Sequence, residues 1–146
     1  MEHENYQAFK ELIEQNIPFN NFLGMRLHIL EKGRCALALP FREELVGDFR
    51  RNALHGGVVS TLVDTCGGFT VWTMCDINDK IATIDMRVDY LKPTPAGKTI
   101  IAESTIKLLG NRVGNTHTVV YAEDSPRRIL AEGRSVYNIR RAGLGK

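Results

Sequence analysis

The sequence predicts an α+β fold in which a curved antiparallel sheet wraps around one long central helix. The first observation is the stretch 55–75, HGGVVSTLVDTCGGFTVWTMC, in which Asp64 is the single charged residue. A helix over about residues 56–75 is apolar nearly all round, so the rest of the fold must enclose it. The second observation is that a β-hairpin precedes this helix and four strand-like segments follow it. Strands gathered in this way, with no helices alternating between them, favour an antiparallel over a parallel sheet.

Length and charge narrow the class of protein. The chain has 146 residues, of which 43% are hydrophobic and 25% charged, and this suits a single globular domain over 1–146 with a full core. The formal net charge is +2, and the basic residues are scattered apart from short runs such as Arg50-Arg51 and Arg140-Arg141. This distribution argues against a nucleic-acid partner. A mild positive charge suits a small molecule that carries phosphate.

The cysteines and the N-terminal segment indicate a compartment. Cys35, Cys66 and Cys75 include no CxxC pair, so we predict neither a disulfide framework nor a metal site. The segment MEHENYQAFKEL is acidic and polar, unlike a signal peptide. Asp64, several threonines and Gly67-Gly68 make the apolar stretch unsuitable for crossing a bilayer. The sequence therefore predicts a cytoplasmic protein with no membrane partner.

The N-terminal segment is predicted to be helical. Apolar residues at helical spacing indicate an amphipathic helix over about residues 3–15, which Pro18 ends. Residues 19–24 are predicted to form a turn with apolar contacts. Its side chains Phe19, Phe22 and Leu23 are expected to seal the edge of the core, with the lining of a pocket as the alternative.

The other elements are strands, bounded by Gly, Pro, Asn and Asp. They are predicted at residues 25–30, 34–39, 81–91, 99–109, 113–122 and 129–139. Residues 41–54 mix charges with Gly47 and are predicted to be a loop. The last four strands are expected to follow one another as a meander. In the first of these, alternation places one set of side chains, Ile84, Met86, Val88 and Tyr90, opposite a second set, Thr83, Asp85, Arg87 and Asp89.

The start of the central helix carries a possible binding site. A helix N-terminus offers unpaired amides and a partial positive charge, and the glycines at 56 and 57 let a ligand oxygen approach the backbone closely. The amides of Gly56 and Gly57 could polarise a carbonyl or hold an oxyanion. The alternative is that the glycine pair simply allows a tight start to a crowded helix.

Asp64 lies eight residues beyond Gly56, which is about 12 Å along an ideal helix. A carbonyl held by the Gly56 amide needs its attacking group about 3 to 3.5 Å away. One helix cannot supply both groups, whereas two antiparallel helices from two chains can. If both groups serve one site, the protein is a two-fold dimer with two sites at its interface.

These residues match a known pattern. His55-Gly56-Gly57, then Asp64 and Gly67-Gly68, resembles the hotdog-fold acyl-CoA thioesterases, in the branch of the phenylacetate-pathway thioesterases. The segment 83–93, TIDMRVDYLKP, is also similar to a strand that follows the helix in that branch. The resemblance covers roughly residues 19–140. It implies the hotdog fold and homodimers that often pair into tetramers.

The resemblance also implies roles in the hydrolysis of an acyl-CoA thioester. Gly56 donates its amide to the thioester carbonyl, and Asp64 of the partner subunit acts as nucleophile or general base. Thr83 falls where related enzymes hold the water with a serine or threonine, although it could equally be an ordinary strand residue. Coenzyme A is part of the substrate, so no separate cofactor is implied.

Further residues are expected to bind substrate or shape the site. His55 is expected to brace the loop rather than act as a base, with Gly57 beside it. Asn52 could orient the loop or contact substrate. Arg112 lies in a turn of the kind that is near the nucleotide in related enzymes, and a cation there could hold phosphate.

Two alternative functions remain open from the sequence. Gly47-Asp48, Asn52 and His55 weakly resemble the loop of hotdog enoyl-CoA hydratases, but glycines stand where an aspartate should follow the histidine. An acyl-CoA-binding or sensing module without turnover would have no need of a carboxylate at Asp64. The sequence leaves open the acyl group, the choice between nucleophile and base, dimer against tetramer, and coenzyme A against acyl-carrier protein.

Overall fold

A sheet and a central helix dominate the computed structural model, which describes residues 3–143. Helix α1 spans His3–Glu11 and continues as a π-helical turn, Leu12–Asn16; α2 spans Pro18–Leu23 and α3 spans Gly56–Trp72. The outermost residues of the predicted domain, 1–2 and 144–146, lie outside the described residues. Among the described helices, none is long and apolar enough to cross a membrane.

Within residues 3–143, six strands form one antiparallel sheet in the order β1-β2-β6-β7-β8-β5. Two further short strands, β3 and β4, pair with each other beside it. The bounds are β1 Arg26–Glu31, β2 Arg34–Leu39, β3 Val46–Asp48, β4 Ala53–Leu54, β5 Lys80–Tyr90, β6 Ile100–Leu109, β7 Val113–Ala122 and β8 Ile129–Arg140.

The core lies between α3 and one face of the sheet. The helix buries Leu62, Val63 and Cys66 against side chains of β2, β6, β7 and β8. Val63 approaches β8 so closely that a Cβ at Gly133 would collide with it, which gives that glycine a packing role. The apolar helix is thus enclosed by the sheet, as the sequence predicts.

The strand order differs from the predicted meander at one strand. β6, β7 and β8 do pair in chain order, but β5 pairs with β8 and not with β6. The place beside β6 is taken by β2 of the hairpin. The chain therefore crosses from α3 to the far side of the sheet, and β5 becomes an edge strand.

The predicted alternation along β5 is wrong at two positions because the strand contains a β-bulge. Its register against β8 shifts between Thr83 and Asp85, so one extra residue is inserted. Ile84 is left 57% exposed, and the Thr83 side chain turns toward α3, where it contacts Asp64. Thr83 therefore shares the face of Met86 and Val88, which pack on the core.

The predicted turn at residues 19–24 is a short helix, α2. Pro18 occupies its first turn, where its missing N–H costs nothing, and Gly24 closes it with a left-handed φ of 73°. Leu23 is buried as expected. Phe19 and Phe22 are instead 54% and 62% exposed, so they lie outside the core.

Two other boundaries differ from the prediction. Helix α3 ends at Trp72 rather than Cys75, because the chain tightens there: the Met74 amide donates to the Val71 carbonyl and the Thr73 hydroxyl to the Thr70 carbonyl. The predicted loop 41–54 contains the β3–β4 pair and a 3₁₀ turn, Glu43–Leu45.

Candidate active site

His55 caps the N-terminus of α3. Its backbone is extended, with φ −62° and ψ 132°, and its imidazole Nδ1 accepts a hydrogen bond from the Gly57 amide at 2.8 Å. Its own amide donates to the Leu45 carbonyl at 2.8 Å. Because Nδ1 accepts, the neutral ring carries its proton on Nε2. The imidazole thus stabilises the loop. Because the Gly57 amide already donates to this ring, it is not free to bind a ligand.

Gly56 is the first residue of α3 and opens onto a cavity of about 470 Å³. Within residues 3–143 its amide donates to no acceptor, as expected for the first amide of a helix. Tyr90 lies beside it and donates its hydroxyl to the Gly56 carbonyl at 2.9 Å. Arg51 and Lys92 also line this cavity. The Asp48 carboxylate lines it too and pairs with Arg51 at 2.6 Å. The Gly56 amide and Lys92 suit a ligand with negative charge.

Asp64 lies at the middle of α3, half-buried beside β5. Thr83 donates its hydroxyl to Asp64 Oδ1 at 2.7 Å. Among the described residues, no side chain or amide donates to Asp64 Oδ2. Thr83 thus fixes one oxygen of the carboxylate and leaves the other able to accept a proton. Both residues line a second cavity, of about 220 Å³.

The backbone at Asp64 is anchored by Tyr137 of β8, which pairs with Thr83 across the two strands. Its hydroxyl donates to the Asp64 carbonyl at 2.7 Å. A Cβ at Gly67 would collide with this hydroxyl and with Thr116 Oγ1, so a glycine is needed there. Burial raises the pKa of the Tyr137 hydroxyl, which keeps it a hydrogen-bond donor at ordinary pH.

Gly56 and Asp64 therefore border two different cavities of one protomer. The helix between them is continuous, so they lie about 12 Å apart along its axis. The first cavity can hold a polarised carbonyl, and the carboxylate that lines it, Asp48, is paired with Arg51 at 2.6 Å. The second cavity holds Asp64 and the Asn20 side chain, and the Gly56 amide is not among its lining residues.

Comparison with known proteins identifies the family. A family model described as the thioesterase superfamily matches residues 52–128, which is more than half of the chain. The chain belongs to the thioesterase superfamily. It is also 32% identical over 134 residues to the medium/long-chain acyl-CoA thioesterase YigI of Escherichia coli K12, covering 81% of this chain and 86% of that protein.

Solved structures share the fold of this thioesterase. A Shewanella oneidensis protein related to the thioesterase superfamily superposes with a TM-score of 0.79 at 26% identity, covering 92% of this chain and 95% of that chain. The Escherichia coli PaaI protein from the phenylacetic acid degradation operon gives a TM-score of 0.78 at 18% identity, covering 96% and 92%. The predictions of the hotdog fold and of a thioester hydrolase are confirmed.

The other predicted site residues of this thioesterase lie farther away. Asn52 adopts a left-handed φ of 51° and does not line the Gly56 cavity. Arg112 borders a separate cavity of about 330 Å³ with Arg140 and Arg141. Its turn lies near the C-terminal end of α3, since Gly114 contacts Val71. Among the described residues, no cluster of three His, Cys, Asp or Glu side chains is placed to hold a metal.

Three residues at the site were not predicted from the sequence: Arg51, Tyr90 and Tyr137. Arg51 is one of the basic pair Arg50-Arg51, and an arginine five residues before the start of α3 could have been considered for substrate binding. The two tyrosines sit on strands distant in sequence from α3, and no local pattern distinguishes them from core tyrosines.

Proposed function

We propose that the protein hydrolyses acyl-CoA thioesters in two sites, each shared by two copies of the chain. The Gly56 amide of one subunit polarises the thioester carbonyl, and Asp64 of the partner subunit attacks it or activates water. The observation that carries this proposal is the separation of Gly56 and Asp64 along one continuous helix, each on its own cavity. A reaction that needs both groups within about 3 to 3.5 Å of one carbonyl requires a second chain.

The edge strand β5 is the element on which two chains can meet. It has 11 residues, and its apolar Ile84 and Tyr90 are 57% and 53% exposed. An exposed edge of this length is a ready surface for pairing with another strand. A two-fold axis at its centre would make the pair antiparallel and the contact isologous.

Two contacts between β5 and α3 show which residues would meet if two β5 strands paired. Thr83 lies beside Asp64 of α3, and Tyr90 lies beside Gly56. Antiparallel pairing that sets Thr83 of one strand opposite Tyr90 of its copy places Asp64 of one subunit at the level of Gly56 of the other. The homodimer thereby completes both sites, and pairing of two dimers into a tetramer is the further expectation.

The chemistry in such a site balances with the residues present. Thr83 holds Asp64 Oδ1, and the free oxygen takes a proton from water while the water oxygen bonds to the thioester carbon. The Gly56 amide and the helix N-terminus stabilise the oxyanion. The carbon–sulfur bond then breaks, and the thiolate of coenzyme A leaves with the proton. Direct attack by Asp64, giving an anhydride that water hydrolyses, uses the same geometry. Neither route needs a separate cofactor.

The remaining substrate groups have candidate partners. Arg51 and Lys92 on the Gly56 cavity suit the phosphates of coenzyme A, and the antiparallel dimer carries Arg112 of the partner subunit toward the same end. The Asp64 cavity has apolar walls, including Ile17, Phe69 and Trp72, which suit an acyl chain. Relatives named as medium/long-chain acyl-CoA thioesterases support an acyl group of that length.

The experiment is thiol release from a panel of short, medium, long and aromatic acyl-CoAs, comparing wild type with Asp64→Asn. We expect release by the wild type and a loss of about 10²-fold or more in the variant, because the amide accepts no proton. Asp124→Asn is the matched control: its carboxylate pairs with Lys98 at 2.7 Å on the surface. The mass of each protein in solution is measured alongside.

Three results would contradict the proposal. Equal release by wild type and Asp64→Asn would make Asp64 structural. Tight binding of every acyl-CoA without release by the wild type would favour a sensing module. Full activity in a monomer would remove the need for a shared site.

A further inference from the structure

Asn20 presents a buried carboxamide at the Asp64 cavity. The side chain lies on the inner side of α2 and is 3% exposed. It borders the same cavity of about 220 Å³ as Asp64 and Thr83. Its Nδ2 is buried and donates to no acceptor among the described residues. A polar side chain without a partner thus sits in the wall of the candidate active site.

The buried position of the Asn20 side chain is unfavourable for the stability of the fold. A buried donor without an acceptor costs folding free energy, because water satisfies it in the unfolded chain. The rest of the inner side of α2 is apolar, with Leu23 in the core. A leucine at position 20 would serve the packing of α2 better than an asparagine does. The carboxamide is therefore best explained by a polar partner bound in the Asp64 cavity during the reaction.

The residues around Asn20 indicate that its hydrogen-bond partner binds close to Asp64. Much of the cavity wall is apolar, formed by Ile17, Phe69, Trp72 and Ile81, and offers an acyl chain no hydrogen bond. The reaction at Asp64 needs a water whose lone pair points at the thioester carbon. Asp64 alone leaves this water free to rotate about a single hydrogen bond, whereas a second polar group fixes its orientation.

We propose that Asn20 is a positioning residue that holds the attacking water together with Asp64, and this inference rests on the proposed function. Asp64 takes one proton from the water as its oxygen bonds to the thioester carbon. The Asn20 carboxamide exchanges no proton; it makes the second hydrogen bond. The unpartnered group in the folded protein is thereby satisfied during turnover.

The test is Asn20→Leu, which keeps the approximate volume and removes the hydrogen bond. We expect kcat to fall about ten- to a hundredfold with KM within about twofold, because the substrate itself loses no contact. The fall is expected to be equal for a saturated acyl-CoA and its 3-hydroxyacyl counterpart. The thermal midpoint is expected to stay unchanged or to rise, since an unpaired buried donor is removed.

Asn21→Leu is the matched control, one residue along the same helix. Asn21 is exposed, and its Nδ2 donates to the Glu14 carbonyl at 3.1 Å, outside the Asp64 cavity. It should keep wild-type kcat. Asn20→Ala serves as a second variant in case leucine does not fit, with the same expected fall in kcat.

Several outcomes would overturn the inference. Unchanged kcat in an active, folded Asn20→Leu or Asn20→Ala protein would do so while leaving the proposed function intact. A lower thermal midpoint with a matching loss of folded protein in both variants would show a structural role. A loss confined to the 3-hydroxyacyl substrate would assign Asn20 to the acyl group. A wild type that releases no thiol would overturn the proposed function and this inference together.

Discussion

The first turn of α3 and its middle offer opposite chemistry. At the first turn, the unpaired Gly56 amide shares a cavity with Lys92 and with Arg51, and the helix N-terminus favours negative charge on a ligand. At the middle, Asp64 supplies negative charge beside a hydroxyl and apolar walls. Under the proposed mechanism, the first region stabilises the oxyanion and the second activates the nucleophile. The comparison supports a catalytic unit of two chains, in which each region supplies half of the hydrolytic site.

The largest effect is expected from removing the amide at the first turn with Gly56→Pro. Proline is well tolerated at the first position of a helix, and the extended backbone of His55 suits a residue before proline. We expect kcat/KM to fall by about 10²- to 10³-fold, measured by thiol release from acyl-CoA. Gly56→Ala keeps the amide and should retain most activity, although its Cβ would approach Tyr90 Cε1 at 3.3 Å. A fully active Gly56→Pro protein would show that the Gly56 amide is not needed for catalysis.

A smaller effect is expected at the middle from Thr83→Val. The substitution keeps the branched shape and removes the donor that holds Asp64 Oδ1. We expect kcat to fall about tenfold, with little change in urea stability because Thr83 is exposed. Thr83→Ser keeps the hydroxyl and should remain close to wild type. Equal activities in the valine and serine variants would show that the hydroxyl is not needed.

Tyr137→Phe tests how much the hydrogen bond from Tyr137 to the Asp64 carbonyl contributes to the free energy of unfolding. Loss of the hydroxyl leaves the Asp64 carbonyl without this donor, and we expect about 1–2 kcal/mol of destabilisation in urea at pH 8. Burial raises the folded pKa of Tyr137 above the ordinary value, so this stabilisation is present below pH of about 10 and is lost as pH rises toward the folded pKa. The advantage of wild type over Tyr137→Phe should therefore shrink at pH above 10. A constant difference across that range would contradict the assignment.

The smallest effect is expected from the cations at the first turn. Arg51 pairs with Asp48 at 2.6 Å, and this contact lowers the pKa of the Asp48 carboxyl. Arg51→Ala should raise KM severalfold with kcat nearly unchanged, and the difference should diminish in high salt. Arg127→Ala, an exposed arginine in the β7–β8 turn, is the control. A fall in kcat without a change in KM would show that Arg51 acts on the chemistry rather than on phosphate binding.

The two regions also differ in how well the sequence predicts them. The first turn of α3 is defined by neighbours in the chain, His55, Gly56 and Gly57, so local rules for helix starts describe it well. The surroundings of Asp64 come from β5, β8 and α2. The bulge at Ile84 turns Thr83 toward Asp64. It could not be predicted from the evenly alternating sequence of β5, because bulges depend on the pairing register.

The strands also show that features set by neighbouring residues are predictable, whereas features set by distant contacts are not. The predicted strands agree with β1, β2 and β5–β8 to within one residue at each end, because turn residues bound them. The place of β5 at the sheet edge could not be predicted, since order in a sheet depends on contacts distant in sequence. Phe19 and Phe22 were expected in the core because they are apolar, but a short helix places them outside. The same helix buries Asn20, which the predicted turn at residues 19–24 does not indicate.

The most direct test of the shared site is a mixed dimer of Asp64→Asn and Gly56→Pro chains. Each variant alone is inactive in both sites, whereas a mixed dimer has one site with both native groups and one with neither. Random mixing of equal amounts by co-expression should restore about a quarter of wild-type activity per protein. Activity that stays at the level of the separate variants, in a preparation shown to contain mixed dimers, would place Gly56 and Asp64 of one chain in the same site and contradict the account.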